Sequence, residues 1–319
     1  MTRLFPEFSG IHWTFSSDFC RFVLTIQRAM KKILVPVDFS DHTDVTCRYA
    51  VAIASANGGE IMLFHTYFDQ MIITGGTYPD SIAAQAAVDV QMIAEIRETA
   101  EKEMEKLVES IKKIIDPQAV VNVVWSMEGG DAATGIVEIC TTYYPDLIII
   151  GAQGRGLKDP FSGSTAEIIM RHTTVPVLAI PSSAGFDGFS QIMYSAGLVE
   201  GTENDLRFIF DFFGSLNPVV HCVHLHCSGN EQFDDVKLDR LKQLFAKEIA
   251  DGKIVFGLYE CENHRQGLVT FLESTQIGMI AFKLHKTSLF GLLFSSRLSR
   301  KDLFKAKLPL LAFPVSKIH

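Results

Sequence analysis

Long hydrophobic runs are missing from this chain. Its apolar stretches stay short, residues 147–150 being typical, whereas a membrane-crossing helix needs about 20 residues, so no bilayer-spanning segment and no membrane partner are expected. Positive charge is scarce: 29 Lys and Arg stand against 37 Asp and Glu, a formal net charge of -8. A chain without a broad basic face is a poor match for a phosphate backbone, which argues against nucleic acid. Cysteine is thin as well. The six residues Cys20, Cys47, Cys140, Cys222, Cys227 and Cys261 are scattered over 319 positions, without the dense framework of a secreted disulfide domain, and a reducing, cytoplasmic setting is expected.

The residues present suffice for two domains. Hydrophobic residues make up 47% and charged residues 21%, enough to bury cores and too apolar for disorder; domains commonly run about 100–200 residues. Residues 1–30 share no pattern with the rest of the chain, and they lack the continuous apolar region and small-residue cleavage site of a signal peptide. Two readings stand for them: a mis-assigned upstream start, with Met30 as the working initiator, or a loosely packed N-terminal arm.

From Lys32 onward, apolar β-type runs alternate with longer helical patterns, the signature of βαβ units. Strands are expected at residues 33–38, 60–66, 120–126, 146–151 and 176–180. Helices are expected at about 41–56 with Ser40 or Asp41 as cap, at 81–115, at 131–143 capped by Asp131, and at 164–172. In the long helix Met104, Leu107, Val108, Ile111 and Ile115 fall on one face at helical spacing. Right-handed crossovers then give an open, mostly parallel sheet with helices on both faces and a ligand crevice between strands one and four.

Residues 182–189 read as a linker of turn-formers, and a shorter copy occupies 190–319. Its strands are expected at 191–196, 219–225, 253–259, 277–282 and 308–314, and its helices at 205–216, 237–250 and 267–274. The closing run Leu308-Pro-Leu-Leu-Ala-Phe-Pro314 mirrors Val175-Pro-Val-Leu-Ala-Ile-Pro181 position by position. The fold class is therefore α/β, with two tandem open five-stranded sheets of Rossmann-like type.

The segment from Gly151 through Gly154 to Gly163, Ser164 and Thr165 leaves a strand and enters a helix. Glycines there permit close backbone approach, and the first helical amides with the Ser164 and Thr165 hydroxyls offer donors to an anion. It lacks the Gly-Lys-Ser/Thr ending of a P-loop, so Walker-type hydrolysis has no anchor. Asp38 stands at the carboxyl end of the first strand, where an open α/β sheet presents polar groups to a ligand.

The run Lys32-Ile-Leu-Val-Pro-Val-Asp38-Phe-Ser40, the Glu128-Gly-Gly-Asp131 turn, the Leu147-Ile-Ile-Ile-Gly151 strand and that glycine-rich loop resemble the universal stress protein family. The likeness covers residues 31–181 strongly and 190–319 weakly. It implies an adenine nucleotide alpha hydrolase-like fold and, in the ATP-binding members, the pattern G-x-x-G, nine residues, then G-S or G-T. Carried over, it implies that Asp38 contacts adenine, the backbone at Thr66 frames the base, Ile150 lies near the ribose, and Gly151, Gly154, Gly163 and Ser164 hold phosphates of ATP, ADP or AMP, with magnesium accompanying the nucleotide. Here eight residues separate Gly154 from Gly163, a departure that bears on the triphosphate more than on the base.

In the second copy Ala281 and Leu284 are expected where the first two glycines belong, with Gly197 near the place of Asp38, so no nucleotide is expected there. Lys283, His285, Lys286 and Arg297 read as a solvated basic loop. The run His221-Cys222-Val-His224-Leu-His226-Cys227, with Cys261 and His264, makes a transition metal conceivable, but His65 and His224 occupy corresponding places and core packing explains much; no metal is assigned. Arg155, Lys158, Asp159 and Glu128 form no base-and-nucleophile pair, so no catalytic residue is named and any hydrolysis would be slow. The final apolar strands would be exposed edges in isolated copies, and in family dimers the last strands meet. An intrachain pseudo-dimer is thus expected, with a further homodimer and an unidentified protein partner left open. The function expected is a nucleotide-binding stress-response or signalling protein; a non-nucleotide interaction module and a slow ATPase are the alternatives.

Overall fold

A computed structural model describes residues 30–67, 79–152, 165–181, 184–186, 188–198, 200–226, 231–260, 268, 270–272, 274–284 and 308–314, with backbone alone for 79–91, 225–226, 231–234 and 260. The first half runs β1 (Lys31–Pro36), α1 (Thr43–Asn57), β2 (Gly59–Thr66), α2 (Pro79–Ile114), β3 (Val121–Glu128), α3 (Ala132–Tyr143), β4 (Leu147–Gly151), α4 (Thr165–His172) and β5 (Val177–Ile180). The second runs β6 (Gln191–Ser195), α5 (Thr202–Phe213), β7 (Val219–His226), α6 (Glu231–Leu244), α7 (Ala246–Ala250), β8 (Ile254–Glu260), β9 (Met279–Lys283) and β10 (Leu310–Phe313).

The strands are short because they are buried on both faces. Ile33, Leu34 and Val35 are each sealed from solvent, worth about 2 kcal/mol apiece as transferred apolar surface. In α2, Met104, Leu107, Val108 and Ile111 are buried as their spacing predicts, whereas Ile115, expected on the same face, lies just past the helix end and is only partly buried; the far face carries the exposed pairs Arg97–Glu101 and Lys102–Glu98. Asp131 caps α3 as expected, accepting from the Thr134 amide at 2.8 Å.

In place of the two separate five-stranded sheets expected, the ten strands form one open sheet, because β5 and β10 pair across the middle. The order is β3-β2-β1-β4-β5-β10-β9-β6-β7-β8. All pairs are parallel except the central one, where β5 and β10 run antiparallel with Leu178 opposite Leu311. Further ties hold the first half to the linker and to the second half: the Tyr49 hydroxyl donates to the Gly185 carbonyl of the linker at 2.8 Å, the Asn57 amide to the Phe212 carbonyl at 2.8 Å, and Lys31 pairs with Asp211.

Some expectations give way. Neither Ser40 nor Asp41 caps α1; the N-cap position is His42 without a side-chain bond, because the Asp38 carboxylate organises the turn into the helix instead. The single helix expected at 237–250 is two, broken at Phe245. That ring is buried and meets Phe210 and Phe256, and seating it interrupts the helical course. The helix expected from 205 starts earlier, at Thr202, and ends in a 3-10 turn over Gly214–Leu216.

Candidate functional site

In the first half the sheet order is β3-β2-β1-β4-β5, so the chain winds one way through β1, β2 and β3, then returns past β1 to lay down β4. The crevice at that reversal, at the carboxyl ends of β1 and β4, is where open α/β sheets receive ligands. Backbone bonds extend the ladders to this end: the Val37 amide donates to the Phe64 carbonyl (2.8 Å), the Tyr67 amide to the Glu128 carbonyl (3.1 Å) and the Ala152 amide to the Ile180 carbonyl (2.8 Å). Thr66, Asp38 and Gly151 therefore sit at the same end of three neighbouring strands, which lie about 4.8 Å apart.

Asp38 is half-buried in the turn after β1. Its Oδ1 accepts the Ser40 amide at 3.0 Å and the Thr43 hydroxyl at 3.4 Å, so one carboxylate oxygen fixes the entry to α1 while Oδ2 takes no bond from the described residues. Phe39, next in the chain, is held at a φ of 54°, a left-handed conformation costly for a side chain with a Cβ. Its ring lies 4.4 Å from that of His65, and His65 Nδ1 is 2.7 Å from the Val37 carbonyl. A carbonyl only accepts, so Nδ1 carries the proton. This strained, tied turn follows directly on Asp38, and sequence reasoning missed it because no local pattern marks an aromatic residue for a left-handed conformation.

Thr66 ends β2, opposite Glu128. Helix α3 passes close over it because position 135 is glycine: a Cβ there would stand 3.1 Å from the Thr66 methyl. Tyr67 lies against the Glu128-Gly-Gly-Asp131 turn, its hydroxyl 3.5 Å from where a Gly129 Cβ would be. Asp131 is held below the usual carboxylate range by the Thr134 amide and hydroxyl. Ile150 is buried in β4, facing the core under α3 and α4. Gly151 closes that strand, and Thr165 opens α4. Gly154, Gly163 and Ser164, with Arg155, Lys158 and Asp159, lie outside the described residues.

The second half repeats the frame and corrects one alignment. His224 Nδ1 is 2.7 Å from the Ala196 carbonyl, as His65 is from Val37, each pair 28 residues apart. Val37 therefore corresponds to Ala196, and Asp38 to Gly197, as expected. Leu147 pairs with Ile33 and Met279 with Ile192, and the Ala152-to-Ile180 bond recurs from Leu284 to Phe313 at 2.8 Å. Gly151 thus corresponds to Lys283, not to Ala281, and Leu284 to Ala152. Lys283 is buried rather than part of a solvated basic loop; His285, Lys286 and Arg297 lie outside the described residues.

For the metal reading, no group of three or more His, Cys, Asp or Glu side chains suited to an ion occurs among the described residues. Cys222 is sealed in the core, where burial pushes its thiol up to about 12, and His221 meets the Gln191 side chain. The side chain of His226, and Cys227, Cys261 and His264, lie outside the described residues. No described helix is long and apolar enough to cross a membrane.

Residues 30–181 match the universal stress protein family model. A universal stress protein of Methanocaldococcus jannaschii is 25% identical over 153 residues, 47% of this chain and 94% of its own length. The crystal structure of a universal stress protein from Archaeoglobus fulgidus superposes with a TM-score of 0.66 at 14% identity, covering 91% of this chain and 98% of that one, and so shares the fold across both halves. A putative universal stress protein from Pseudomonas aeruginosa does so with a TM-score of 0.51 at 14% identity, covering 90% and 94%.

Proposed function

Because residues 30–181 belong to the universal stress protein family, we propose that the first half of this chain binds an adenine nucleotide, ATP first among them, and that occupancy biases contacts with a protein partner in a stress-response or signalling role. The observation that carries this reading is the gathering of Asp38, Thr66 and Gly151 at one end of β1, β2 and β4, beside the topological switch. Asp38 spends Oδ1 on its own turn and keeps Oδ2 for an exocyclic amine. The Thr66 backbone frames the base, and Ile150 supplies apolar surface beside the sugar. Gly154, Gly163, Ser164 and Thr165 would hold the phosphates through bare amides and hydroxyls at the start of α4, with magnesium accompanying them. ATP supplies a phosphate tail to be recognised, and the chemistry proposed is binding.

Equilibrium titration tests this. ATP should bind saturably, Asp38→Asn, which keeps an acceptor for the Ser40 amide, should weaken it at least about ten-fold, and Gly163→Val should abolish it. Flat heats with every adenine nucleotide would leave the interaction module standing. Phosphate release above the Gly163→Val background would make the protein a slow ATPase.

A further inference from the structure

Three positions that meet in space differ between the halves, and they differ together. Register and helix starts make Val35 equivalent to Tyr194, Thr46 to Asp205 and Gly151 to Lys283. In the second half these residues make a closed cluster. Lys283 Nζ stands 3.1 Å from both oxygens of Asp205, and the Tyr194 hydroxyl donates to Asp205 Oδ2 at 2.7 Å. All are buried, at 7%, 6% and 0% exposure for Lys283, Asp205 and Tyr194.

The direction of the Lys283 side chain is set by the pleat. Leu147 and Ile149 belong to the core on the α1 side of the sheet, as Met279 and Ala281 do on the α5 side, so positions 151 and 283 both look toward the first turn of the helix after the half's first strand. Gly151 offers bare backbone there. Lys283 sends an ammonium-tipped chain across the same corner to Asp205. Neither charge would stay buried alone, because an unpaired buried ion is far costlier than a paired one.

We propose that Lys283 is the specificity-determining residue of the duplicated fold: pinned by Asp205 and Tyr194, its side chain occupies the second half's ligand corner from within and confines adenine nucleotide to one site per chain. The stoichiometry rests on the proposed nucleotide binding by the first half. The internal closure does not, and it is tested without nucleotide.

In denaturant unfolding of the full chain, Lys283→Met should lower the folding equilibrium constant on the order of a hundred-fold or more, since it strands the Asp205 carboxylate. Adding Asp205→Asn should recover at least about ten-fold of that loss. The Lys283→Met deficit should shrink on acidification, as the stranded Asp205 carboxylate takes up a proton. A double variant no better than Lys283→Met, or a Lys283→Met deficit flat with pH, would overturn the closure, and if Lys283→Met does not fold, restoration of folding by the added Asp205→Asn decides alone. Titration of the wild-type chain with ATP should saturate at one per chain, and saturation at two would overturn the proposal. Absence of any binding would overturn the nucleotide reading and leave the closure to the folding data.

Discussion

Replacing Leu311 by alanine should loosen the whole sheet, because that residue lies on the seam between its halves. Leu311 sits opposite Leu178 across the antiparallel β5–β10 pair, and both side chains have 0% exposure in the core cluster that runs through the two halves. Leucine-to-alanine changes at sealed sites cost about 2–5 kcal/mol, the larger values where neighbours cannot collapse into the space. Strands on both sides of β10 hold the backbone here, so about 3–4 kcal/mol is expected. The assay is urea unfolding followed by far-ultraviolet circular dichroism and by Trp125 fluorescence in a Trp13→Phe background. Trp125 lies in β3, at the far edge of the first half. If the seam makes the halves one cooperative unit, both probes shift together by that amount. A stability change under about 0.5 kcal/mol, within the range of surface substitutions, would refute the reasoning, as would a Trp125 transition that stays put while the dichroism moves.

Two further predictions concern helix ends. Asp131→Ala removes the cap on α3, whose carboxylate accepts the Thr134 amide and hydroxyl at 2.8 Å each, and should cost about 1 kcal/mol at neutral pH. The folded carboxyl is depressed, so its contribution is present above its unfolded value near 4 and lost as pH falls through the folded one; wild type and variant should converge in acid unfolding series. Tyr144→Gly should stabilise by about 0.5–1 kcal/mol, since Tyr144 ends α3 in a left-handed conformation at φ 52° with its side chain exposed; thermal unfolding showing a loss would contradict this.

Much of the frame was legible because periodicity reports burial. The stripe through Met104, Leu107, Val108 and Ile111, the Asp131 cap and the mirrored runs at 175–181 and 308–314 all read correctly, each being a local pattern with a local cause. The features that escaped were set by particular side-chain contacts rather than by periodicity. The start of α1 depends on Asp38 reaching Ser40 and Thr43 around a left-handed Phe39, and no propensity marks an aromatic residue for that conformation. The break at Phe245 is made by rings from other elements. Counting toward glycines aligned Ala281 with Gly151, whereas the hydrogen-bond ladder aligns Lys283, and the partners that make its burial tolerable lie on β6 and α5.

Photoaffinity labelling with 8-azido-ATP, with peptide mapping of the intact chain, tests most directly where a nucleotide is held. Adducts suppressed by unlabelled ATP should fall on peptides carrying Asp38, Thr66 or Ile150. Competable adducts on the peptides of residues 190–319 instead, or no competable adduct anywhere, would contradict binding at the first half's crevice.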